Sequence, residues 1–273
     1  MDRIIRYMLE EDEGFGDITS NAVVEKGKEI SAQIVSKDEG ILAGMDVIRE
    51  VFEEYGIKVK FWLTDGTKIS KNDLLMSVAG DARTILLLER TVLNLSMRMS
   101  GVATAASHYV ELVKDYDVRV AGTRKTSPAI AKFDKYALGV GGADTHRFSL
   151  DDMVLIKDNH IAACGTPLEA LLRAKANVSF SKKIEIEVET LDDAVECVIN
   201  GADIVMLDNM SPLEVSEVID KLNELNIRQR ALIEVSGGIT DETIVEYAKL
   251  GVDIISIGAL THSSRSLNFS MKF

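Results

Sequence analysis

Cysteine, proline and tryptophan are scarce in this chain: its 273 residues include two cysteines, three prolines and one tryptophan, and aromatic residues make up 5%. Cys164 and Cys197 form no CxxC pair and no His/Cys cluster at metal-ligand spacing. Neither a disulfide framework nor a structural zinc site is indicated, and a reducing cytoplasm is the expected compartment. Long apolar runs are missing too. No stretch approaches the roughly 18 apolar residues of a membrane span, and the charges at Asp2, Arg3, Arg6 and Glu10 to Glu13 leave no apolar core for a signal peptide. Export and anchoring are therefore not expected. Positive charge is the last deficit: 31 Lys and Arg stand against 44 Asp and Glu, a net charge of -13. Nucleic acid and anionic membrane are excluded as expected partners, because each requires a basic face. Any cationic site must be a local cluster.

What is present is ordinary core-forming material. At 46% hydrophobic residues the chain can bury a large core, as one barrel-sized domain or as two smaller ones. The first hundred residues mix types: a helix is expected from Asp2 to Glu11, strands near Ile30 to Ser36 and Lys58 to Leu63, and a turn at Thr64-Asp65-Gly66-Thr67. From Ala82 to about Asp115 the spacing of Ile85, Leu88, Val92, Leu95 and Met99 predicts a helix that bridges two domains, with an interruption at Ser100-Gly101. Six short β-rich runs then alternate with amphipathic stretches: Val118 to Ala121, Met153 to Ile156, Ile184 to Val188, Asp203 to Leu207, Ala231 to Val235 and Asp253 to Ile257. Helices are expected between the later ones, at Leu191 to Asn200, Pro212 to Leu225 and Thr240 to Leu250. This rhythm predicts a parallel β/α array, and a barrel is favoured over an open sheet. Leu267, Phe269, Met271 and Phe273 alternate with polar residues as a half-buried strand would, one that can pair with the N-terminal unit.

In a β/α barrel the reactive groups gather where strands end. Here the runs are followed by Gly122-Thr123-Arg124-Lys125-Thr126, by Lys157-Asp158-Asn159-His160, by Asp208-Asn209, by Ser236-Gly237-Gly238 and by Gly258. Arg124 offers a planar fork for a carboxylate, Lys125 and Lys157 compact charges for phosphate or carboxylate, and His146-Arg147 two further donors. A single such cation is most simply a solvated surface charge. Their recurrence at strand ends points to a strongly anionic ligand. Glu185, Glu187 and Glu189 alternate with aliphatic residues and share one face, so inside a barrel they need a lysine, a divalent ion or sugar hydroxyls as partners, or else form an internal salt-bridge layer. Glu187 lies nearer the reactive end. Glycines at 237, 238 and 258 would let backbone N–H groups approach a terminal phosphate.

The segments Gly122-Thr-Arg-Lys-Thr-Ser-Pro128, Asp144-Thr-His-Arg147 and Leu150-Asp-Asp-Met-Val-Leu-Ile-Lys-Asp-Asn-His-Ile161 closely resemble the quinolinate phosphoribosyltransferase family. The likeness continues through Glu89-Arg90-Thr91 with Asn94, Ser100-Gly101, Glu185 to Val188, Leu207-Asp208-Asn209, Ser236-Gly237-Gly238 and Ile257-Gly258, in order along nearly the whole chain. It implies an α/β chain of the type II phosphoribosyltransferase fold: an N-terminal α/β sandwich over residues 1–104, joined by the tail 263–273, and a catalytic open β/α barrel over 105–262. It further implies a homodimer, or higher homo-oligomer, with active sites shared across the interface. Carried over by residue, Arg124, His146, Arg147 and Lys157 hold the dicarboxylate, and Arg90 arrives from the partner chain. Lys125, Glu187, Asp208, Ser236, Gly237, Gly238 and Gly258 hold phosphoribosyl pyrophosphate with magnesium, for which Glu187 and Asp208 are the metal-side carboxylates. Lys125, Lys157, Glu187 and Asp208 are the implied catalytic set. One departure stands out: Gly141-Gly142-Ala143-Asp144-Thr145 replaces the third glycine and the asparagine that many members carry before His-Arg. Two rival readings remain at this point, a paralogue of the same fold linked to molybdenum transport and a non-catalytic anion-binding barrel.

Overall fold

The computed structural model describes residues 2–273. Two compact units form: one contains the residues through Ser107, Thr126–Gly142 and Leu260–Phe273, and the other contains His108–Lys125 and Ala143–Ala259.

In the first unit, helix α1 (Arg3–Glu13) covers the stretch expected from Asp2 to Glu11, and it is capped by the Asp2 carboxylate, which accepts the Ile4 N–H. Helix α2 (Ile18–Val23) follows, and then β1 (Glu29–Ser36), the two-residue β2 (Gly40–Ile41), α3 (Met45–Glu54), β3 (Lys58–Trp62), the two-residue β4 (Lys68–Ile69) and β5 (Leu74–Asp81). The Asp65 carboxylate receives the Gly44 and Met45 N–H groups at the start of α3, each at 2.8 Å, and the Tyr136 hydroxyl at the same distance. That explains why the Thr64–Thr67 turn carries an aspartate.

Helix α4 (Ala82–Leu112) runs 31 residues without a break. The interruption expected at Ser100-Gly101 is absent because both residues have packing duties. The Ser100 hydroxyl bonds the Ala43 N–H and carbonyl. At Gly101 a methyl group would overlap the Arg265 carbonyl oxygen and stand 2.9 Å from Ser266 Cα. Glycine is here for close approach rather than as a helix stop.

The second unit holds a parallel sheet in which every strand is short. It contains β6 (Arg119–Ala121), β7 (Val154–Ile156), β8 (Ile184–Val188), β9 (Ile204–Asp208), β10 (Leu232–Ser236) and β11 (Ile254–Ser256), numbered after helix α5 (Ala131–Val140) is set aside in the first unit. The connecting helices are α6 (Asp158–Cys164), α7 (Pro167–Asn177), α8 (Leu191–Ile199), α9 (Pro212–Glu224) and α10 (Ile244–Ala248). Helix α10 begins later than the Thr240 start expected, because Thr240 and Thr243 first close a turn through their hydroxyls. Strand order is β6-β11-β10-β9-β8-β7. The last strand pairs with the first, while β6 and β7, which follow each other along the chain, are the two edges of the sheet. A ring with one gap results, the open β/α barrel. An isolated parallel bridge between Ala121 and Asp144 extends the β6 edge at the gap.

After the short helix α11 (Ala259–His262), the alternating tail forms β12 (Phe269–Lys272), antiparallel to β1, in a sheet ordered β12-β1-β5-β3. In the first unit Arg98, on α4, holds Asp134 of α5 with two parallel bonds of 3.0 and 3.1 Å and also donates to the Thr261 carbonyl. Among the described residues no helix is long and apolar enough to cross a membrane.

The Gly101 contact predicts a substitution of unexpected sign. Alanine is the better helix former by about 1 kcal/mol, yet Gly101→Ala should lower the unfolding free energy by about 1–3 kcal/mol through overpacking. Urea titration of the two proteins tests it, and a stabilised variant would show that the Arg265–Ser266 segment yields freely.

Candidate active site

Parallel strands aim alternate side chains into a barrel, and register decides which ones meet. Glu187 pairs with Met206, Met206 with Glu234, and Glu234 with Ile254. Two residues further on, Asp208, Ser236 and Ser256 form the next layer. Above these layers, at the carboxyl ends of the strands, lies a cavity of about 470 Å³ whose walls include Arg124, Lys125, His146, Arg147, Lys157, Glu187, Asp208, Ser236, Gly237 and Gly238. Nearly all the expected residues are thereby brought together. Two are not among its walls. Gly258 lies two residues past the end of β11, and Arg90 sits on α4 in the first unit with its side chain 59% exposed, its guanidinium 3.9 Å from Glu89.

Arg124 and Lys125 are exposed at the cavity mouth, whereas Arg147 is buried. Burial, then the neighbouring Arg124 charge, lowers the Arg147 pKa, and Glu185 opposes that fall. Lys157 forms an ion pair with Glu187. Its backbone N–H donates to His160 Nδ1 at 2.9 Å, so His160 caps the first turn of α6 and is not among the cavity walls. Asp208 accepts from Asn209 Nδ2 at 2.6 Å. Burial raises its pKa against the pull of Lys157 and Lys125.

His146 sits lower. Its φ of 53° is in the left-handed region, unusual for a residue with a side chain, and Asp144 Oδ1 stabilises the turn by accepting the His146 N–H at 2.7 Å. Asp144 thus has a defined task in the variant loop, and Gly141 has another: a methyl there would stand 2.7 Å from the Ala106 Cβ. The ring's Nε2 is 3.3 Å from Glu234 and 3.4 Å from Glu185, both with fully buried side chains. Burial opposes charging the ring and the carboxylates of Glu185 and Glu234 favour it, which raises its pKa; a second ring proton would have to sit on Nδ1, which instead accepts the Arg147 N–H at 2.9 Å, so the geometry leaves the ring one proton, on Nε2. The pKa of Glu185 is also raised, chiefly by burial, with His146 opposing.

The glycine loop has a backbone that only glycine adopts readily. Gly237 and Gly238 adopt φ of 93° and 60°, and a side chain at Gly237 would overlap the Asn209 amide. Glu185 is part of the internal charge layer and Glu187 faces the cavity, while Glu189 is exposed outside it. Sequence reasoning missed Glu234, Met206 and Ser256 as walls, while Asn209, which also lines the cavity, was placed at a strand end without a role. The signal for Glu234 and Ser256 was available: each shares its strand's inward parity, Glu234 with Ser236 and Ser256 with the glycine two residues later.

Two family models cover the chain, the quinolinate phosphoribosyl transferase N-terminal domain over residues 17–100 and the C-terminal domain over 102–272. Among curated relatives, a probable nicotinate-nucleotide pyrophosphorylase [carboxylating] of Methanocaldococcus jannaschii is 49% identical, over 98% of this chain and 95% of that one. The Bacillus subtilis protein of the same designation is 40% identical, over 98% and 92%. Among solved structures, NadC from Streptococcus pyogenes superposes with a TM-score of 0.91 at 38% identity, over 98% of this chain and 94% of that one.

A cavity so rich in cations should take a multiply charged anion. Inorganic pyrophosphate is expected to raise the melting temperature of the protein, and Arg124→Ala with Lys125→Ala to weaken its binding by about tenfold or more, as loss of charged hydrogen bonds does. Calorimetric titration reads the change. Equal affinity in the double variant would place both side chains outside the anion site.

Proposed function

The chain belongs to the quinolinate phosphoribosyl transferase family, and from that membership we infer that its pocket joins quinolinate to phosphoribosyl pyrophosphate, giving nicotinate mononucleotide, pyrophosphate and carbon dioxide. The observation that carries the reading is the convergence of Arg124, Lys125, Arg147 and Lys157 on one cavity in a chain whose net charge is -13. Two anionic substrates repel each other. The cations offset that repulsion and orient the ring nitrogen against the anomeric carbon, so proximity supplies much of the rate.

Arg124, His146, Arg147 and Lys157 hold the dicarboxylate, and Ser236, Gly237, Gly238 and Gly258 present the loops that receive the phosphates. As the bond to pyrophosphate breaks, Lys125 stabilises the departing charge, and Glu187 and Asp208 meet the positive charge that develops on the ribose or hold its hydroxyls. Magnesium fits these residues. Two carboxylates on neighbouring strands, β8 and β9, are hard oxygen donors, and this ion is usually bound by one or two carboxylates together with substrate phosphates. Its chemistry there is to neutralise pyrophosphate. Once the ring nitrogen carries the sugar, its positive charge stabilises the electron pair left on the adjacent ring carbon when that carbon's carboxylate departs as carbon dioxide, and a proton from solvent then completes the carbon.

The assembly is read as a homodimer with Arg90 entering the partner's site. The exposed guanidinium of Arg90, on a helix whose Leu88 and Val92 are buried, is what supports this. Both cysteines are free, which suits work in the cytoplasm.

Release of pyrophosphate and carbon dioxide from quinolinate with phosphoribosyl pyrophosphate tests the reaction. Quinolinate should be turned over in strong preference to nicotinate, because one carboxylate would leave buried cations unmatched; equal use of the two acids would sink the assignment. Arg124→Lys, which keeps the charge but loses the fork, should cut kcat/KM for quinolinate by about tenfold or more at unchanged stability. For the shared site, inactive Arg90→Ala and Lys157→Ala proteins should regain activity after subunit exchange, since a mixed dimer holds one site free of both changes. No recovery with exchange confirmed would keep Arg90 out of the partner's site.

A further inference from the structure

The mechanism leaves two buried carboxylates without a task. Glu185 and Glu234 are fully buried, and both oxygens of Glu185 and Oε1 of Glu234 have no hydrogen-bond partner. Aliphatic side chains would fill the barrel floor without the cost of desolvating charge. What these carboxylates do must therefore be sought in what they touch. Glu234 Oε2 meets His146 Nε2 at 3.3 Å, and Glu185 Oε2 stands 3.4 Å from the same nitrogen.

The ring is constrained from its other side as well. Nδ1 accepts the Arg147 N–H at 2.9 Å, so the ring proton belongs on Nε2, facing Glu234. The turn that sets this geometry, with His146 in the left-handed region, also delivers Arg147, whose buried guanidinium donates to the Met153 carbonyl at 3.3 Å. His146 and Arg147 are thus oriented as one unit, and Glu234 is the hydrogen-bonding contact that fixes the ring end of it.

Taking the pocket as a quinolinate site, we propose that Glu234 is a positioning residue: by accepting the His146 Nε2–H it fixes the ring's tautomer and rotamer, and with them the turn that presents Arg147 to the dicarboxylate. Comparable carboxylate partners orient histidines in catalytic triads and metal sites. Spacing alone would also admit a cation, since ligand atoms of His146, Glu185 and Glu234 lie within 4.8 Å of one another. A cation on Nε2 would, however, move the ring proton to Nδ1, against the Arg147 N–H. The ring proton is the occupant that fits.

The chain has four histidines, so ¹⁵N-histidine labelling gives a readable spectrum in which His146 is identified by loss of its signal in His146→Asn. The wild-type ring should show a proton on Nε2 and none on Nδ1. In Glu234→Leu this single tautomer should be lost and KM for quinolinate should rise about tenfold or more, with kcat and KM for phosphoribosyl pyrophosphate changing by less than about threefold. Glu234→Gln, whose amide oxygen still accepts, should restore both the tautomer and KM. A proton on Nδ1 in the wild type, a stoichiometric metal in the purified protein that His146→Asn releases, or an unchanged KM in a folded Glu234→Leu would each overturn the proposal. The wild-type spectrum decides even where the leucine variant does not fold. It also separates the two readings, because failure to turn over quinolinate would remove the substrate assignment while the tautomer is measured without substrate.

Discussion

A ring of parallel strands gains hydrogen bonds at every junction it closes, and this barrel leaves one junction open. After Lys125 the chain departs to build α5 in the other unit, and it returns at Ala143, so β6 and β7 are sheet edges although they follow each other in the barrel. Much of the site depends on that excursion. Arg124 and Lys125 stand at its exit, and His146 and Arg147 stand just after its return, which is why cations distant in sequence from one another share a wall. The excursion is itself held by the bidentate grip of Arg98 on the fully buried Asp134. Removing one partner of such a pair would leave a buried charge uncompensated, a cost of about 3–5 kcal/mol.

The pocket is a local reversal of the molecule's acidic charge, and it is built in depth. At the mouth, cations are exposed and adaptable; below them Lys157 is already engaged by Glu187, and at the floor the carboxylates of Glu185 and Glu234 face His146. Negative charge beneath the cations offsets part of the repulsion of Arg124 against Arg147, which adds to burial in lowering the pKa of the buried guanidinium.

How much of this was legible in the sequence followed from how local each signal was. Strands β6 to β11 and the polar residues after them could be read because period-two runs and strand-end chemistry are carried by neighbouring residues. Gly101 was misread as a helix stop, because what it accommodates is the backbone at Arg265, far along the chain. The gap in the barrel came only with the family resemblance, which implied an open barrel, because periodicity marks strands but does not say which of them pair. Glu234 was overlooked although its inward parity was available, since attention to strand ends passes over the layer beneath. Asp144 looked like a loop variation, and its carboxylate turns out to hold the His146 N–H.

The pairing of β12 with β1 has a consequence for how the protein reaches its fold. Ser36 finds its partner at Phe269, so β1, an inner strand of the N-terminal sheet, has one neighbour close in sequence and another that comes after all the barrel strands in the chain. Contacts of such separation form slowly, because a long loop must be ordered before they repay it. During synthesis the barrel strands can associate while β1 still shows an unpaired edge, the kind of surface that recruits strands from other chains. The last strand thus acts as a latch on the first unit, and the interval before it closes is when this protein is most exposed to misassociation and to chaperones.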